Sequence, residues 1–308
     1  MTPSLEARAL EKRFAGAAAL RGLSFAVAQG ELYGLVGPDG AGKTTAIRAL
    51  AGLIVPDGGE VRVLGQDPRR GGAAREALGL MPQQCSLYRD LSVEENLRFF
   101  AQLFVLPRKT FEERAERLLS LTRLERFADR RADALSGGMY KKLALACALL
   151  HEPRVLLLDE PTNGVDPVSR RELWGLLHEF VEGGMTVLLS TPYMDEAERC
   201  GRVGLIHGGR LILEGPPGAL LAAFDEETYE IVGGERDAVE ALLARRPEVR
   251  AASPAGSRLR VDAVRGGGGL LAGALAPLGA SLRRVAPTFE DLFLARIRAA
   301  ADAGGEGA

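Results

Sequence analysis

Short, unbroken apolar runs alternate along the first two thirds of the chain with stretches whose apolar residues return every three or four positions. Leu32–Val36, Val155–Leu158 and Thr186–Leu189 are flanked by turn-forming or polar residues, the pattern of strands buried on both faces of a parallel sheet. Val61–Leu64 predicts a further short strand. Thr44–Gly52 predicts a helix, and around Glu94–Leu124 the spacing of Leu97, Phe100, Ala101 and Phe104 predicts charged, amphipathic helices. Strands separated by helices predict α/β layering. The composition shifts near Gly215-Pro216-Pro217-Gly218. Beyond it the pattern predicts strand Thr228–Val232, helix Ala238–Ala244, strands Val249–Ala252 and Leu259–Val261, helix Leu270–Leu278 and strand Leu282–Val285. Pro287 then precedes a short amphipathic helix, Phe289–Ile297. The expected organisation is a large α/β domain over residues 1–222, with a helical subdomain at about 86–152, and a small α+β domain over 223–300. The tail 301–308 has nothing to bury and is expected to be disordered.

Composition narrows the picture mainly by exclusion. The apolar share of 46% and charged share of 26% are those of ordinary globular proteins. A net charge of −2 with no basic tract argues against a nucleic-acid partner. No apolar stretch approaches the ~20 residues that span a bilayer. The first residues, Met1-Thr2-Pro3-Ser4-Leu5-Glu6, lack the basic region and apolar core of a secretory leader. Any membrane connection is therefore expected to run through a partner chain. Cys85, Cys147 and Cys200 are odd in number and widely spaced, as expected of reduced thiols rather than a disulfide framework.

The chemistry begins at Gly37-Pro38-Asp39-Gly40-Ala41-Gly42-Lys43-Thr44, which satisfies G-x-x-x-x-G-K-[ST] between a predicted strand and a predicted helix. Glycines there let backbone N–H groups wrap phosphates, and the helix N-terminus adds its positive dipole end. Lys43 would contact the β- and γ-phosphates of ATP, and the Thr44 hydroxyl would ligate Mg²⁺. Far downstream, Val155-Leu156-Leu157-Leu158-Asp159-Glu160 is an apolar strand ending in two acids. Such a pair can be solvated, helix-capping acids. Paired with a phosphate loop in one sheet, Asp159 becomes a Mg²⁺ ligand and Glu160 the group that polarises water, because phosphoryl transfer depends on positioning and charge stabilisation. Between the two stands Leu135-Ser136-Gly137-Gly138-Met139, in which Ser136 is a suitable helix N-cap.

The order of phosphate loop, Gln83, L-S-G-G, acidic strand end and Thr162-Asn163-Gly164-Val165-Asp166 resembles the nucleotide-binding cassette of ABC transporters over roughly residues 4–220. The resemblance implies a P-loop NTPase (RecA-like) fold with a helical subdomain. It implies that Phe14 stacks on adenine and that Thr45, following Thr44, joins the nucleotide-binding set. Gln83 would sense Mg²⁺ and the γ-phosphate. Ser136, Gly137 and Gly138 would touch ATP bound to an opposite cassette, with Asp166 at the dimer interface. More closely, the chain looks like cassettes of ABC-2-type exporters, similar to daunorubicin-resistance ATPases. The supporting residues are Leu87–Leu97, Met139, Met194-Asp195-Glu196-Ala197-Glu198 and Pro287-Thr288-Phe289-Glu290-Asp291-Leu292-Phe293. That implies an ABC-2-type permease as partner, with the chain peripheral at the cytoplasmic face of the plasma membrane. Leu87, Tyr88, Leu91 and Phe99 are candidates for the groove receiving a permease helix, or equally for the core of the helical subdomain.

Two positions depart from the family pattern. Pro192, in Ser190-Thr191-Pro192-Tyr193, stands in the slot of a γ-phosphate-contacting histidine, and proline offers neither a side-chain donor nor a backbone N–H. None of His151, His178 or His207 is expected to replace it; the first two read as surface residues and the third as turn-flanking. Asp39 replaces the commoner asparagine. Together the two departures are similar to the first cassette of tandem two-cassette export ATPases. They favour an asymmetric heterodimer with a second cassette, the alternative being a homodimer of reduced activity. Another reading of function is a non-transport or regulatory nucleotide-binding module with little turnover.

Overall fold

The structure, a computed structural model, describes residues 2–84 and 87–305. Cys85 and Ser86, the latter at the start of the expected helical subdomain, lie outside the described residues, as do 306–308 of the expected tail. The chain divides into two compact units, Met1–Glu214 and Gly215–Ala308.

The first unit opens with β1 (Leu5–Phe14) and β2 (Ala17–Val27), followed by β3 (Leu32–Val36), α1 (Lys43–Leu50) and β4 (Gly58–Val63). A short α2 (Ala73–Glu76) leads to β5 (Leu78–Met81). Three helices come next: α3 (Val93–Leu103), α4 (Arg108–Thr122) and α5 (Gly137–Leu149). The unit closes with β6 (Val155–Asp159), α6 (Pro167–Glu182), β7 (Thr186–Thr191), β8 (Arg202–His207) and β9 (Arg210–Gly215). Six strands form one sheet in the order β5-β6-β7-β3-β8-β9, and the first five of these lie parallel. Every residue of β3, β6 and β7 is buried, which is why each appears in the sequence as a continuous apolar run. A second, antiparallel sheet has the order β2-β1-β4. Leu5, Leu10, Leu23 and Val61 of that sheet share a core with Ile47 and Leu50 of α1 and with Leu35, Leu157 and Leu188 of the parallel sheet.

Register decides where the chemistry falls. Val36 lies beside Thr191 and Leu205, and Asp159 beside Ser190. The carboxyl ends of β3, β6, β7 and β8 therefore finish level, at the edge where open α/β sheets bind ligands. The helices α3 and α5 start on side-chain caps. Ser92 and Glu95 form a reciprocal capping box at the start of α3, at 3.2 and 2.7 Å.

The second unit contains α7 (Pro217–Ala222), β10 (Glu227–Gly233), α8 (Arg236–Leu243), β11 (Val249–Ala255), β12 (Arg258–Ala263), α9 (Gly268–Leu275), β13 (Ala280–Arg284) and α10 (Phe289–Gly305). Its four strands pair antiparallel in the order β11-β12-β10-β13. With helices after the first and third strands, this is the βαββαβ, ferredoxin-like arrangement. Tyr229, Ile231, Leu259 and Val261 pack with Val239, Leu243, Leu271 and Leu275. Helix α10 runs well past Ile297, so the backbone of residues 301–305, expected to be disordered, continues the helix. The Ala299-Ala300-Ala301-Asp302-Ala303 run accounts for this, alanine being the strongest helix former.

Candidate active site

The phosphate-loop motif joins β3 to α1, and its glycines are placed by sterics. A Cβ on Gly37 would stand 2.2 Å from the Ile206 carbonyl oxygen on β8. Gly42 has φ +109°, and a Cβ there would meet the Ala19 carbonyl oxygen at 2.5 Å. Gly40 also has positive φ, Ala41 is buried, and Thr44 and Thr45 are half-buried. No side chain caps the first turn of α1, so its amide groups can serve an anion instead. Lys43 is 3% exposed. Its ammonium donates to the carbonyls of Gly37 (2.8 Å) and Pro38 (3.0 Å), with Glu160 Oε1 at 3.5 Å and Asp39 Oδ1 at 3.9 Å. The Asp39 carboxylate is otherwise in solvent.

The two acids end β6. Asp159 Oδ1 accepts from Thr44 Oγ1 at 3.1 Å and from Ser190 Oγ at 2.6 Å. The same Ser190 hydroxyl accepts the Glu160 backbone N–H at 3.1 Å. Glu160 sits at φ +49°, a left-handed conformation costly for a non-glycine residue. That geometry turns its side chain back over the loop. Its Oε2 accepts from Gln83 Nε2 at 2.8 Å and Asn163 Nδ2 at 3.2 Å. Among the described residues no cluster of three or more His, Cys, Asp or Glu could hold a metal ion. A hydroxyl, one carboxylate and an amide oxygen (Thr44, Asp159 and Gln83) suit Mg²⁺, which takes few protein oxygens and completes its shell with water and phosphate.

A second cluster gathers at the start of α6. Ser136 caps α5 by accepting the Met139 N–H at 3.3 Å, and Ser136 and Gly137 stand exposed. A Cβ on Gly138 would fall 2.3 Å from Ser169 Oγ. Asp166 caps α6, its Oδ1 accepting from the Val168 and Ser169 N–H groups at 3.0 Å each. The Ser169 hydroxyl and N–H together hold the Asp166 carboxyl below its ordinary value. Lys141 reaches back to the Gln83 carbonyl at 3.1 Å, tying α5 to the glutamine loop. Phe14, 48% exposed, ends β1 at the hairpin whose return strand passes Gly42 through Ala19, and Lys12 lies over its ring at 5.4 Å.

Pro192 is half-buried directly after β7. The histidines stand elsewhere: His207 ends β8 exposed and His178 is exposed on α6. His151 is not a surface residue. It is half-buried, its ring stacked 4.0 Å from that of Phe104 and its Nε2 2.9 Å from the Leu78 carbonyl. Leu87 is buried, whereas Tyr88 is 46% exposed and meets Phe99 edge-on at 4.5 Å. Cys147 and Cys200 are both buried.

Several residues that complete the site have roles that their stretch of sequence does not reveal. Ser190 links Asp159 to Glu160, and Asn163 orients Glu160. Glu196, fully buried, accepts from Thr191 Oγ1 (2.6 Å) and Trp174 Nε1 (3.4 Å) and lies 3.3 Å from Arg170 Nε. Within Met194-Asp195-Glu196-Ala197-Glu198 nothing in the sequence sets buried Glu196 apart from the exposed acids beside it.

A family model described as ABC transporter matches residues 20–163. The probable multidrug ABC transporter ATP-binding protein YbhF of Escherichia coli is 46% identical over 226 residues, 72% of this chain but only 39% of that protein's length. The Nod factor export ATP-binding protein I of Ralstonia nicotianae is 41% identical over 246 residues, 79% of this chain and 77% of the relative. Among solved structures, the dimeric MJ0796, described as a bacterial ABC transporter cassette, superposes with a TM-score of 0.64 at 25% identity, covering 69% of this chain and 98% of that one.

Proposed function

This chain belongs to the ABC transporter family of ATP-binding proteins, and we propose that it is the ATP-binding and ATP-hydrolysing subunit of an exporter. One observation carries this reading: Lys43, Thr44, Gln83, Asp159 and Glu160 converge on the carboxyl edge of one parallel sheet. In the proposed roles the backbone of Gly37–Thr44 wraps the phosphates, with Gly40, Ala41, Gly42 and Thr45 in the same set. Lys43 exchanges its carbonyl contacts for phosphate oxygens. Phe14 stacks on adenine, for which a π face suffices. Thr44, Asp159 and Gln83 would hold Mg²⁺, which would supply charge neutralisation at the phosphates. Glu160 polarises the attacking water, and burial of Lys43, Asp159 and Glu160 strengthens their electrostatic contacts. Exchanging Lys43 for Ala is expected to lower ATP affinity at least about tenfold, the value of one charge-assisted hydrogen bond. Unchanged ATP affinity in that variant would overturn the assignment.

Exposed Ser136 and Gly137, leading into buried Gly138, and the neighbouring Asp166 suit contact with a second cassette, so the working unit pairs two cassettes, each completing the other's site. Similarity to a dimeric cassette and to relatives named for multidrug and Nod factor export supports both pairing and export. The transport path is proposed to be a separate ABC-2-type permease, with this chain docked peripherally at the cytoplasmic face of the plasma membrane; Tyr88 and Phe99 offer the aromatic surface for it. Among the described residues no helix is long and apolar enough to cross a membrane. The domain limits proposed are a cassette over 1–222 and a small α+β domain over 223–300, although the compact units divide eight residues earlier, between Glu214 and Gly215.

The turn after β7 favours an asymmetric pair. Pro192 offers no donor to a γ-phosphate, so this chain's own site turns over slowly while its signature element completes a faster site on the partner cassette. The purified chain is expected to hydrolyse ATP slowly, with Pro192→His raising the rate. A full transporter-like rate, with no gain from Pro192→His, would refute the asymmetric pairing.

A further inference from the structure

Three donors face the Glu160 carboxylate: Lys43 at 3.5 Å, Gln83 at 2.8 Å and Asn163 at 3.2 Å. In the roles assigned above, Lys43 turns to phosphate and Gln83 to the metal. Asn163 is then the donor left to orient the carboxylate. A carboxylate only accepts, so the face of the Asn163 amide turned to Glu160 must be its NH₂. That leaves Oδ1 pointing away, and the Tyr193 hydroxyl donates to it over 3.4 Å. Such long contacts tighten when a catalytic site closes.

Tyr193 is held independently of the phosphate loop. The Arg170 guanidinium lies 4.4 Å over its ring, a cation–π contact. The Tyr193 N–H donates to Thr191 Oγ1 at 3.1 Å, and that hydroxyl donates to buried Glu196 at 2.6 Å. Glu196 in turn fixes Arg170 and Trp174 on α6. The turn around the donorless Pro192 is thus rigid, and what it presents toward the acids of β6 is a phenol.

We propose that Tyr193 is a positioning residue for ATP hydrolysis: its hydroxyl fixes the Asn163 amide, which holds Glu160 in line for the attacking water. The turn after β7 then acts on the water-polarising carboxylate through Tyr193, in place of a phosphate contact from residue 192. This rests on the reading of Glu160 given above.

The test is Tyr193→Phe, which keeps the ring and its stack on Arg170 and removes one hydroxyl. Single-turnover hydrolysis of ATP should fall about three- to tenfold, the worth of one net hydrogen bond. ATP affinity and melting temperature should stay at wild-type values. Asn163→Ala should lose a similar factor, and the double variant should be no slower than Asn163→Ala alone. Without added nucleotide, the Asn163 side-chain amide NMR signal, assigned by its loss in Asn163→Ala, should move in Tyr193→Phe. A wild-type hydrolysis rate in Tyr193→Phe, alongside a clear loss in Glu160→Gln, would overturn the relay alone. Equal rates in wild type and Glu160→Gln would overturn the Glu160 reading and the relay with it. An unmoved Asn163 signal would also overturn the relay.

Discussion

Glu196 holds the post-β7 turn to α6, and its removal should be felt across the first unit. In Glu196→Ala the Thr191 hydroxyl and the Trp174 indole N–H lose their acceptor, and the Arg170 guanidinium loses its nearer carboxylate. Breaking a fully buried pair costs about 3–5 kcal/mol. Arg170 is 25% exposed and keeps Asp195 at 3.5 Å, so a discounted cost of about 2–4 kcal/mol is expected here. For a unit of this size about 2–4 °C of melting temperature follows each kcal/mol, so the variant should melt about 4–16 °C lower. Glu196→Gln retains an oxygen for the Thr191 hydroxyl but loses the charge and turns an NH₂ toward the Trp174 N–H and Arg170, so it should cost about 1–3 kcal/mol. The assay is thermal unfolding of the three proteins at neutral pH, followed by ATP hydrolysis well below the lowest midpoint. An Ala variant melting within about 2 °C of wild type would refute the claim that this carboxylate organises the turn.

Gly42→Ala places a methyl 2.5 Å from the Ala19 carbonyl at φ +109° and should lower ATP affinity by about tenfold or more, for a strain of about 1–3 kcal/mol. Gly40→Ala, facing open space at φ +78°, should carry only the left-handed penalty of about 1–2 kcal/mol and lose less affinity in the same titration. Burial against Phe104, with Arg114 nearby, lowers the His151 pKa from its ordinary value of 6.5. The folded state therefore favours the neutral ring: its stabilisation is complete above 6.5 and is lost as pH falls from there toward the folded pKa. Melting temperature measured from pH 7.5 down to 5.5 should fall, and fall less in His151→Gln.

The elements of the sheet that carry the chemistry were legible because burial on both faces writes β3, β6 and β7 as apolar runs that stop at Gly37, at Asp159-Glu160 and at Ser190-Thr191-Pro192. The antiparallel β1 and β2 were not. Their pairing is broken by register shifts at Ala7/Leu10, Leu10/Glu11 and Lys12/Arg13, and Ala9 and Ala15 take positive φ, so no clean alternation survives. In the second unit the strands and helices were visible one by one, whereas the order β11-β12-β10-β13 depends on long-range pairing that local pattern does not encode. Within the site, the phosphate loop and acidic strand end are spacing motifs. Ser190, Asn163, Tyr193 and Glu196 act through three-dimensional proximity, at sequence separations of up to 31 residues; Asn163 and Glu196 fall inside stretches that resemble the family, but nothing in those stretches gives them these roles. His151 reads from sequence as a surface residue because its partner Phe104 lies far away along the chain.

The central claim is that Glu160 polarises water for hydrolysis of ATP held by the loop around Lys43, and the most direct test sets hydrolysis beside binding in Glu160→Gln. The account predicts ATP affinity equal to wild type, with single-turnover hydrolysis falling by about 100-fold or more, the lower range of a positioned general base. Equal hydrolysis by both proteins would contradict it.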